Sequence, residues 1–229
     1  NQSTNPNNAS PDNKLTLHFA QAHLWIGKYC IEDFIEQGFI AAVRSRKIQV
    51  DIVLAEVTYM HVMSKTTISA LHKYVIQPAL VSGYKKVWFA GISLGAFSAL
   101  YYASEYSEHL SGMYLIAPYP STNDILNEIT EAGGALKWTS SNSANQKDER
   151  AWWHWIARES VKGKLITQIY LGTGDDDHFL RGQRVLSGLL PNKNVLAISG
   201  THSWPAWIEL WHNWLELALL PRSAGASCQ

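Results

Sequence analysis

The sequence is short of the features that mark several large protein classes. Its two cysteines, Cys30 and Cys228, lie almost at opposite ends of 229 residues and form neither a metal motif nor a disulfide framework, and whether they pair is left open. Nineteen basic and nineteen acidic residues cancel, and no basic stripe is interleaved with aromatic residues, which argues against nucleic acid as a partner. No apolar run approaches the roughly twenty residues that cross a bilayer. No G-x-G-x-x-G follows the first β-rich run, which argues against a dinucleotide-dependent oxidoreductase.

What the sequence does contain is a regular alternation of β-rich apolar runs and stretches of helical spacing. The length fits one domain with a full core. Strands are predicted at 15–20, 50–57, 86–92, 113–117, 165–171 and 195–198. Such an alternation predicts a mostly parallel sheet of about six strands with helices on both faces, a three-layer α/β/α sandwich.

The two ends and one internal segment depart from this alternation. Residues 1–14 are rich in Asn, Ser and Pro, and we expect a flexible leader there; residues 221–229 are expected to form a flexible tail, with the folded domain at 15–220. Residues 121–162 are predicted to form a small cap-like insertion. The neutral composition is compatible with the cytoplasm, and a polar leader without Met is equally compatible with export and processing.

A pentapeptide between the third predicted strand and the following helix is the strongest motif. Gly91-Ile92-Ser93-Leu94-Gly95 matches G-x-S-x-G, and its strand–turn–helix context predicts a nucleophile elbow with Ser93 on a sharp, strained turn. The helix N-terminus beside Ser93 would offer amide N–H groups to a developing oxyanion. The alternative is an ordinary glycine-bearing turn between strand and helix.

A serine nucleophile needs a base and an acid that orients the base, and both follow Ser93 in the chain. The acid is predicted in the loop after the fifth strand, where Asp175 is nearest the strand end and is preferred over Asp176. A solvated acidic loop or a helix N-cap is the alternative. A metal site of Asp175, Asp177 and His178 is the weaker interpretation, because no second histidine-bearing motif with ligand spacing accompanies it.

The base is predicted at His202, between the last strand and the last helix. This position lets the imidazole reach over the sheet toward Ser93, whereas an exposed loop histidine is the alternative. The other histidines considered lack this combination of a final strand before them and a long helix after them; they are His18, His61, His154 and His178.

An oxyanion hole is the remaining requirement. One donor is predicted to be the backbone N–H of Leu94, directly after the nucleophile. The second is predicted in the loop after the first strand, from Phe19, Ala20 or Gln21, with His18 stabilising that loop.

These motifs together resemble the α/β-hydrolase superfamily, and most of all its small bacterial esterase or lipase-like members. The matching residues are the elbow at 91–95, the Gly172-x-x-Asp175 loop and Gly200-Thr-His202-Ser-Trp-Pro205, in the family's order and over about 15–220. The resemblance implies a Ser93–His202–Asp175 triad with no metal and no cofactor. The chain departs from the family in having His18-Phe19 in place of His-Gly, and we expect no counterpart of the amino-terminal β-hairpin of larger members.

The leading hypothesis is therefore a serine hydrolase that cleaves carboxylic esters, or thioesters, through an acyl-enzyme. Three tryptophans, Trp153, Trp155 and Trp204, favour a small-molecule substrate with an apolar acyl or aryl group, although they are equally compatible with packing alone. The rival hypothesis is a non-catalytic binding or regulatory protein on the same fold. Nothing in the sequence indicates the oligomeric state.

Overall fold

The computed structural model of the chain describes residues 15–23, 31–58, 66–141 and 148–222. The predicted leader, most of the predicted tail, both cysteines and the middle of the predicted insertion lie outside the described residues. Within them, no helix combines the length and apolar character needed to cross a membrane.

One parallel sheet of six strands organises the described residues, in the order β2-β1-β3-β4-β5-β6. The strands are β1 (Leu15–His23), β2 (Asp51–Thr58), β3 (Lys86–Ile92), β4 (Gly112–Ile116), β5 (Ile169–Gly174) and β6 (Val195–Ile198). The predicted α/β class and the mostly parallel sheet are confirmed. The boundaries of β2 and β4 differ by one residue. The larger differences are that β1 continues to His23, that β5 continues to Gly174, and that the first four residues of the predicted fifth strand form a 3-10 helix, Leu165–Gln168.

Helices cover both faces of this sheet. The longer ones are α5 (Leu94–Tyr106), α6 (Asn123–Glu131), α8 (Arg150–Lys162), α9 (Leu180–Ser187) and α10 (Trp204–Glu216). The shorter ones are α1 (Ile31–Glu36), α2 (Phe39–Ser45), α3 (Thr66–Leu71), a π-helical turn (His72–Ile76), α4 (Gln77–Val81) and α7 (Ala135–Ser141).

The central strands read as unbroken apolar runs because both of their faces are buried. Along β3, Val87 and Phe89 belong to one hydrophobic core, while Trp88 and Ala90 belong to the other. This alternation is the two-residue period of a strand. The first core contains side chains of α3, α5 and α8, and the second contains side chains of α1, α2 and α10. The sheet is therefore the middle layer of three.

The segment predicted as a cap-like insertion contributes α6, α7 and α8. Its buried tryptophans Trp138, Trp152 and Trp153 belong to the same core as α5, and the Trp152 ring meets Phe97 edge-on at 6.2 Å. Its described part thus completes one helical layer. Whether it also covers a ligand stays a prediction.

The strand order contains one reversal, which places the predicted nucleophile. The connection from β1 leads to β2 on one side, and the connection from β3 leads to β4 on the other side. Ligands of open α/β sheets bind beyond the carboxyl ends of the strands at such a switch point. Ser93 directly follows β3, so it lies at this point.

Candidate active site

Ser93 occupies a strained turn between β3 and α5. Its φ of 53° and ψ of −115° lie in a region that side chains rarely adopt, at a cost on the order of 1–3 kcal/mol. Gly91 makes the turn feasible, because a Cβ there would come within 2.5 Å of Ala96 N and 2.6 Å of the Gly95 oxygen. The Ser93 N–H donates to the Ile116 oxygen at 2.9 Å, which ties the turn to β4. These contacts support the elbow interpretation over an ordinary turn.

His202 connects Ser93 to a buried carboxylate. Its Nε2 atom is 2.9 Å from Ser93 Oγ, and its Nδ1 atom is 2.7 Å from Asp177 Oδ2. The Asp177 side chain is only 1% exposed and the His202 side chain 12%, so bulk water competes little for either contact. Three residues from three separate loops thus form one hydrogen-bonded chain.

The charge of Asp177 determines which group donates in each of these two hydrogen bonds. Burial disfavours the charged carboxylate, but the hydrogen bond with His202, the charge of that ring and the Phe179 N–H together hold the pKa of Asp177 below its usual range. An ionised carboxylate can only accept, so His202 donates through Nδ1–H. A ring that carries its single proton on Nδ1 presents Nε2 as an acceptor to the Ser93 hydroxyl. This tautomer is the one that a general base requires.

The structure pairs His202 with Asp177, whereas the sequence analysis preferred Asp175 as its partner. Asp175 does not contact His202; its carboxylate accepts from the Gly200 N–H at 2.9 Å and from Ser199 Oγ at 3.1 Å, which lower the pKa of Asp175. The reason is that Asp175 still belongs to the β5–β6 pairing, since its N–H donates to the Ile198 oxygen. Its side chain is exposed and turned toward the β6 loop. Asp176, the second choice, is exposed as well.

A local signal for Asp177 is present in the sequence. Asp177 Oδ1 accepts from the Phe179 N–H at 2.8 Å, and its carbonyl oxygen accepts from the Leu180 N–H at 2.9 Å. This is the Asx-type turn that aspartate favours just before a helix. The sequence analysis treated a helix N-cap as an alternative to an active-site acid, whereas Asp177 forms the turn just before α9 and contacts His202 with the same carboxylate.

Two glycines hold the loops after β5 and β6 together. The Asp176 N–H donates to the Gly200 oxygen at 3.0 Å, and a Cβ on Gly174 would collide with that same oxygen. Gly200 itself has a φ of 156°, and a Cβ there would come within 2.9 Å of the Ala206 side chain. Close backbone contact between these two loops therefore sets the spacing between Asp177 and His202.

The donors for an oxyanion are placed only in part. Leu94 begins α5, so its N–H is among the first amides of a helix, which have no acceptor within that helix. Phe19 and Ala20, in contrast, lie inside β1, paired with β2 on one side and β3 on the other. Their N–H groups therefore face neighbouring strands, which corrects the prediction that they lie in the loop. That loop begins after His23, outside the described residues.

The predicted pocket tryptophans lie in three different surroundings. Trp153 is fully buried, and its indole N–H donates to the Pro120 oxygen at 3.0 Å. Trp155 lines a separate surface cavity on α7 and α8. Trp204 lies nearer, because it packs edge-on against Trp207 at 5.1 Å. Packing thus explains the first two residues.

Other aromatic residues, not identified from the sequence, surround the site. Trp207 and Phe179 meet the His202 ring edge-on at 5.0 and 5.2 Å. Tyr119 meets Phe179 at 5.3 Å, and its N–H donates to the Ser93 carbonyl oxygen at 3.1 Å. These three aromatic residues come after the ends of β4, β5 and β6 in the sequence. That position is the only sequence signal that could have placed them near the site.

Among the residues that the structure describes, one group of side chains could hold a metal ion. Ligand atoms of Asp177, His178 and His202 lie within 4.8 Å of one another. The metal site considered in the sequence analysis comprised Asp175, Asp177 and His178. It therefore shares Asp177 and His178 with this group and differs in having Asp175 instead of His202. Burial and the charge of His202 lower the pKa of His178, against the opposing effect of Asp177.

Comparisons with known proteins identify the fold. No family model matches the chain, and no curated protein does. Among solved structures, S-formylglutathione hydrolase (FrmB) from Staphylococcus aureus is similar with a TM-score of 0.57 at 10% identity, over 90% of this chain and 81% of that one. Est1E from Butyrivibrio proteoclasticus gives 0.56 at 16% identity, over 90% and 88%. An alpha/beta hydrolase enzyme from lagoon sediments of Mar Chica, Morocco, gives 0.52 at 18%, over 90% and 93%. The chain therefore has the α/β-hydrolase fold.

Proposed function

We propose that the protein is a serine hydrolase that cleaves carboxylic esters through an acyl-enzyme, with Ser93, His202 and Asp177 as its triad. The observation that carries the proposal is the continuous chain from Ser93 Oγ through both nitrogens of His202 to the buried Asp177, with contacts of 2.9 and 2.7 Å. A serine hydroxyl is a weak nucleophile unless a positioned base removes its proton.

The mechanism follows from the order of hydrogen-bond donors and acceptors from Ser93 through His202 to Asp177. Ser93 Oγ attacks the ester carbonyl carbon while His202 Nε2 takes the hydroxyl proton. Asp177 keeps the ring in place and stabilises the imidazolium that forms. The Leu94 N–H stabilises the oxyanion, an interaction for which a single donor is worth roughly 10²–10³ in kcat. His202 then protonates the leaving alcohol, and water, activated by the same base, releases the acid.

The aromatic surroundings support a substrate with an apolar acyl or aryl group. Tyr119, Phe179 and Trp204 are partly exposed near the triad and can contact such a group, whereas Trp153 is fully buried. The same chemistry would cleave thioesters, because Ser93 attacks the carbonyl carbon in the same way and a thiol leaves in place of the alcohol. The hydrolase and esterase names of the similar structures agree with a carbonyl substrate.

The test is hydrolysis of p-nitrophenyl esters from acetyl to long acyl by the wild type and by Ser93→Ala. A matched control is Ser104→Ala on the same helix, whose hydroxyl only bonds the Tyr101 oxygen. Turnover by the wild type and the control, with none above background for Ser93→Ala, is the expected result. Equal turnover by wild type and Ser93→Ala contradicts the mechanism. No turnover by any folded variant, on any chain length, favours the non-catalytic alternative.

A further inference from the structure

The acid and base of the proposed triad have a third potential metal ligand beside them. His178 follows Asp177 directly, and its ring lies 4.6 Å from the His202 ring at an angle of 60°. His178 is exposed, Asp177 is buried and His202 lies between these extremes. The site therefore combines one buried carboxylate with one partly buried and one exposed imidazole.

We propose that Asp177, His178 and His202 form an inhibitory site for Zn²⁺. Two imidazole nitrogens and one carboxylate oxygen, with water in the fourth position, are a ligand set that zinc commonly takes. The site is a regulatory property of the triad, so the inhibition rests on the proposed function, whereas the binding of zinc does not.

The geometry requires only a small closure. Zinc lies about 2.0–2.2 Å from nitrogen and oxygen ligands, so ligand atoms around it are roughly 3.2–3.6 Å apart. The three atoms here already lie within 4.8 Å of one another. Rotation of the exposed His178 side chain supplies its approach, and Asp177 Oδ2 and His202 Nδ1, now 2.7 Å apart, separate by roughly 0.5–0.9 Å when the ion lies between them.

The charge around the site favours a cation. Asp175 and Asp176 are exposed on the same loop and add two carboxylates beside the three ligands. Arg181, the nearest basic residue along the chain, is engaged elsewhere, since its guanidinium donates to Asn127 Oδ1 at 2.7 Å. A divalent ion therefore meets a local excess of negative charge.

Zinc at this site would prevent His202 from accepting the Ser93 proton, in either of two arrangements. The ion replaces the proton at His202 Nδ1, between the ring and Asp177, and that proton moves to Nε2. A ring protonated at Nε2 and bound to zinc at Nδ1 has no lone pair for the Ser93 hydroxyl proton. Zinc bound at Nε2 instead occupies the accepting atom itself. In both arrangements Ser93 loses its base.

The experiment measures zinc binding and ester hydrolysis separately. Isothermal titration with Zn²⁺ at about pH 7.5, where imidazole is mostly neutral, is run on the wild type, Ser93→Ala, His178→Asn and His212→Asn. His212 is an exposed histidine of α10 outside the site and provides the matched control. The expected result is one zinc ion bound by the wild type, Ser93→Ala and His212→Asn, and binding weaker by about tenfold or more in His178→Asn. Mg²⁺, which prefers oxygen ligands, should not compete.

Hydrolysis is then followed with increasing Zn²⁺, each variant relative to its own zinc-free rate. The zinc concentration that halves the rate should rise by the same factor in His178→Asn as the dissociation constant does. Zinc binding that depends on His178 in a protein without ester turnover would uphold the site and reject the proposed function. No zinc binding by the wild type, or equal binding by His178→Asn, would reject the site whatever the turnover.

Discussion

Two histidines in tryptophan-rich segments have opposite environments. His202 has a partner for each ring nitrogen, Ser93 Oγ and Asp177 Oδ2. His154, on α8, is 1% exposed and stacks on Trp138 at 4.2 Å, and neither of its ring nitrogens has a hydrogen-bond partner among the described residues. Both are close to tryptophans in sequence, and both were candidate site residues.

The difference between them lies in the elements that carry them. His154 is inside a helix, where its neighbours on the same face are core residues, so its ring packs in the hydrophobic core as an aromatic side chain would. His202 is in the loop after β6, at the edge where the other strand ends deliver Ser93 and Asp177. A histidine becomes a base where its nitrogens are paired in a defined order, and tryptophan-rich context does not supply that order.

The largest expected effect separates the two histidines directly. His202→Ala should lower kcat/KM for ester hydrolysis by a factor on the order of 10⁴ or more, because the proton acceptor is removed. His154→Phe, which keeps the stacked ring, should leave hydrolysis close to wild type. Rates on a p-nitrophenyl ester, with circular dichroism as the control for folding, measure both. Similar losses in the two variants would contradict the distinction.

The next effect distinguishes two carboxylates two residues apart. Asp177→Asn should lower kcat by about 10⁴, because an amide favours the wrong tautomer of His202. Asp175→Asn should cost about tenfold or less, since the amide oxygen can still accept from the Gly200 N–H. Steady-state kinetics on the same ester measure both. A larger loss in Asp175→Asn than in Asp177→Asn would restore Asp175 as the acid.

A smaller effect tests the contact that spaces the acid from the base. Gly174→Ala should lower the free energy of unfolding by roughly 1–3 kcal/mol and reduce turnover, because its Cβ collides with the Gly200 oxygen. Gly188→Ala is the matched control, since a Cβ there approaches the Val185 oxygen only to 3.4 Å. Urea denaturation followed by circular dichroism measures both. Equal stabilities would show that the loops separate without cost.

The smallest effect concerns acid stability and His154. Burial and the charges of Arg158 and Arg150 lower the pKa of His154, against the opposing effect of Asp148. Protonation is therefore less favourable in the folded chain than in the unfolded one. Stability is full above the ordinary value of 6.5 and is lost as the pH falls from there toward the lower folded pKa.

His154→Phe should consequently lose less unfolding free energy than the wild type between about pH 7.5 and pH 5. Urea denaturation at the two pH values provides the measurement, and His212→Asn controls for the removal of any histidine. Identical losses in wild type and His154→Phe would show that this histidine takes up its proton equally well in both states.

The sequence predicted the features that depend on local pattern. The apolar runs set the strands, and the strand–turn–helix context of Gly91 to Gly95 set the elbow, because a close Gly91–Ala96 approach is a local requirement. The position of His202 followed from its place between the last strand and the last helix. Each of these predictions used neighbouring residues only.

The features that the structure places differently from the sequence predictions depend on where a strand ends and on the direction of the turn that follows it. Asp175 and Asp177 differ only in where the turn after β5 directs their side chains, and that turn is set by the contact between Gly174 and Gly200, 26 positions apart. Phe19 and Ala20 were placed in a loop because the strand pairing that extends β1 is not local: β3 pairs with β1 as far as Gln21, and β2 pairs with it as far as His23. Tertiary pairing decided both.

The most direct test of the account is to identify the residue that a fluorophosphonate probe labels. Intact-mass and peptide mass spectrometry of the wild type, Ser93→Ala and Asp177→Asn provide the measurement. The account predicts one label, on Ser93, absent in Ser93→Ala and much slower to form in Asp177→Asn, because the probe reacts with a serine activated by its base. A label on another serine, or no label on the folded wild type, would contradict the claim that Ser93 is an activated nucleophile.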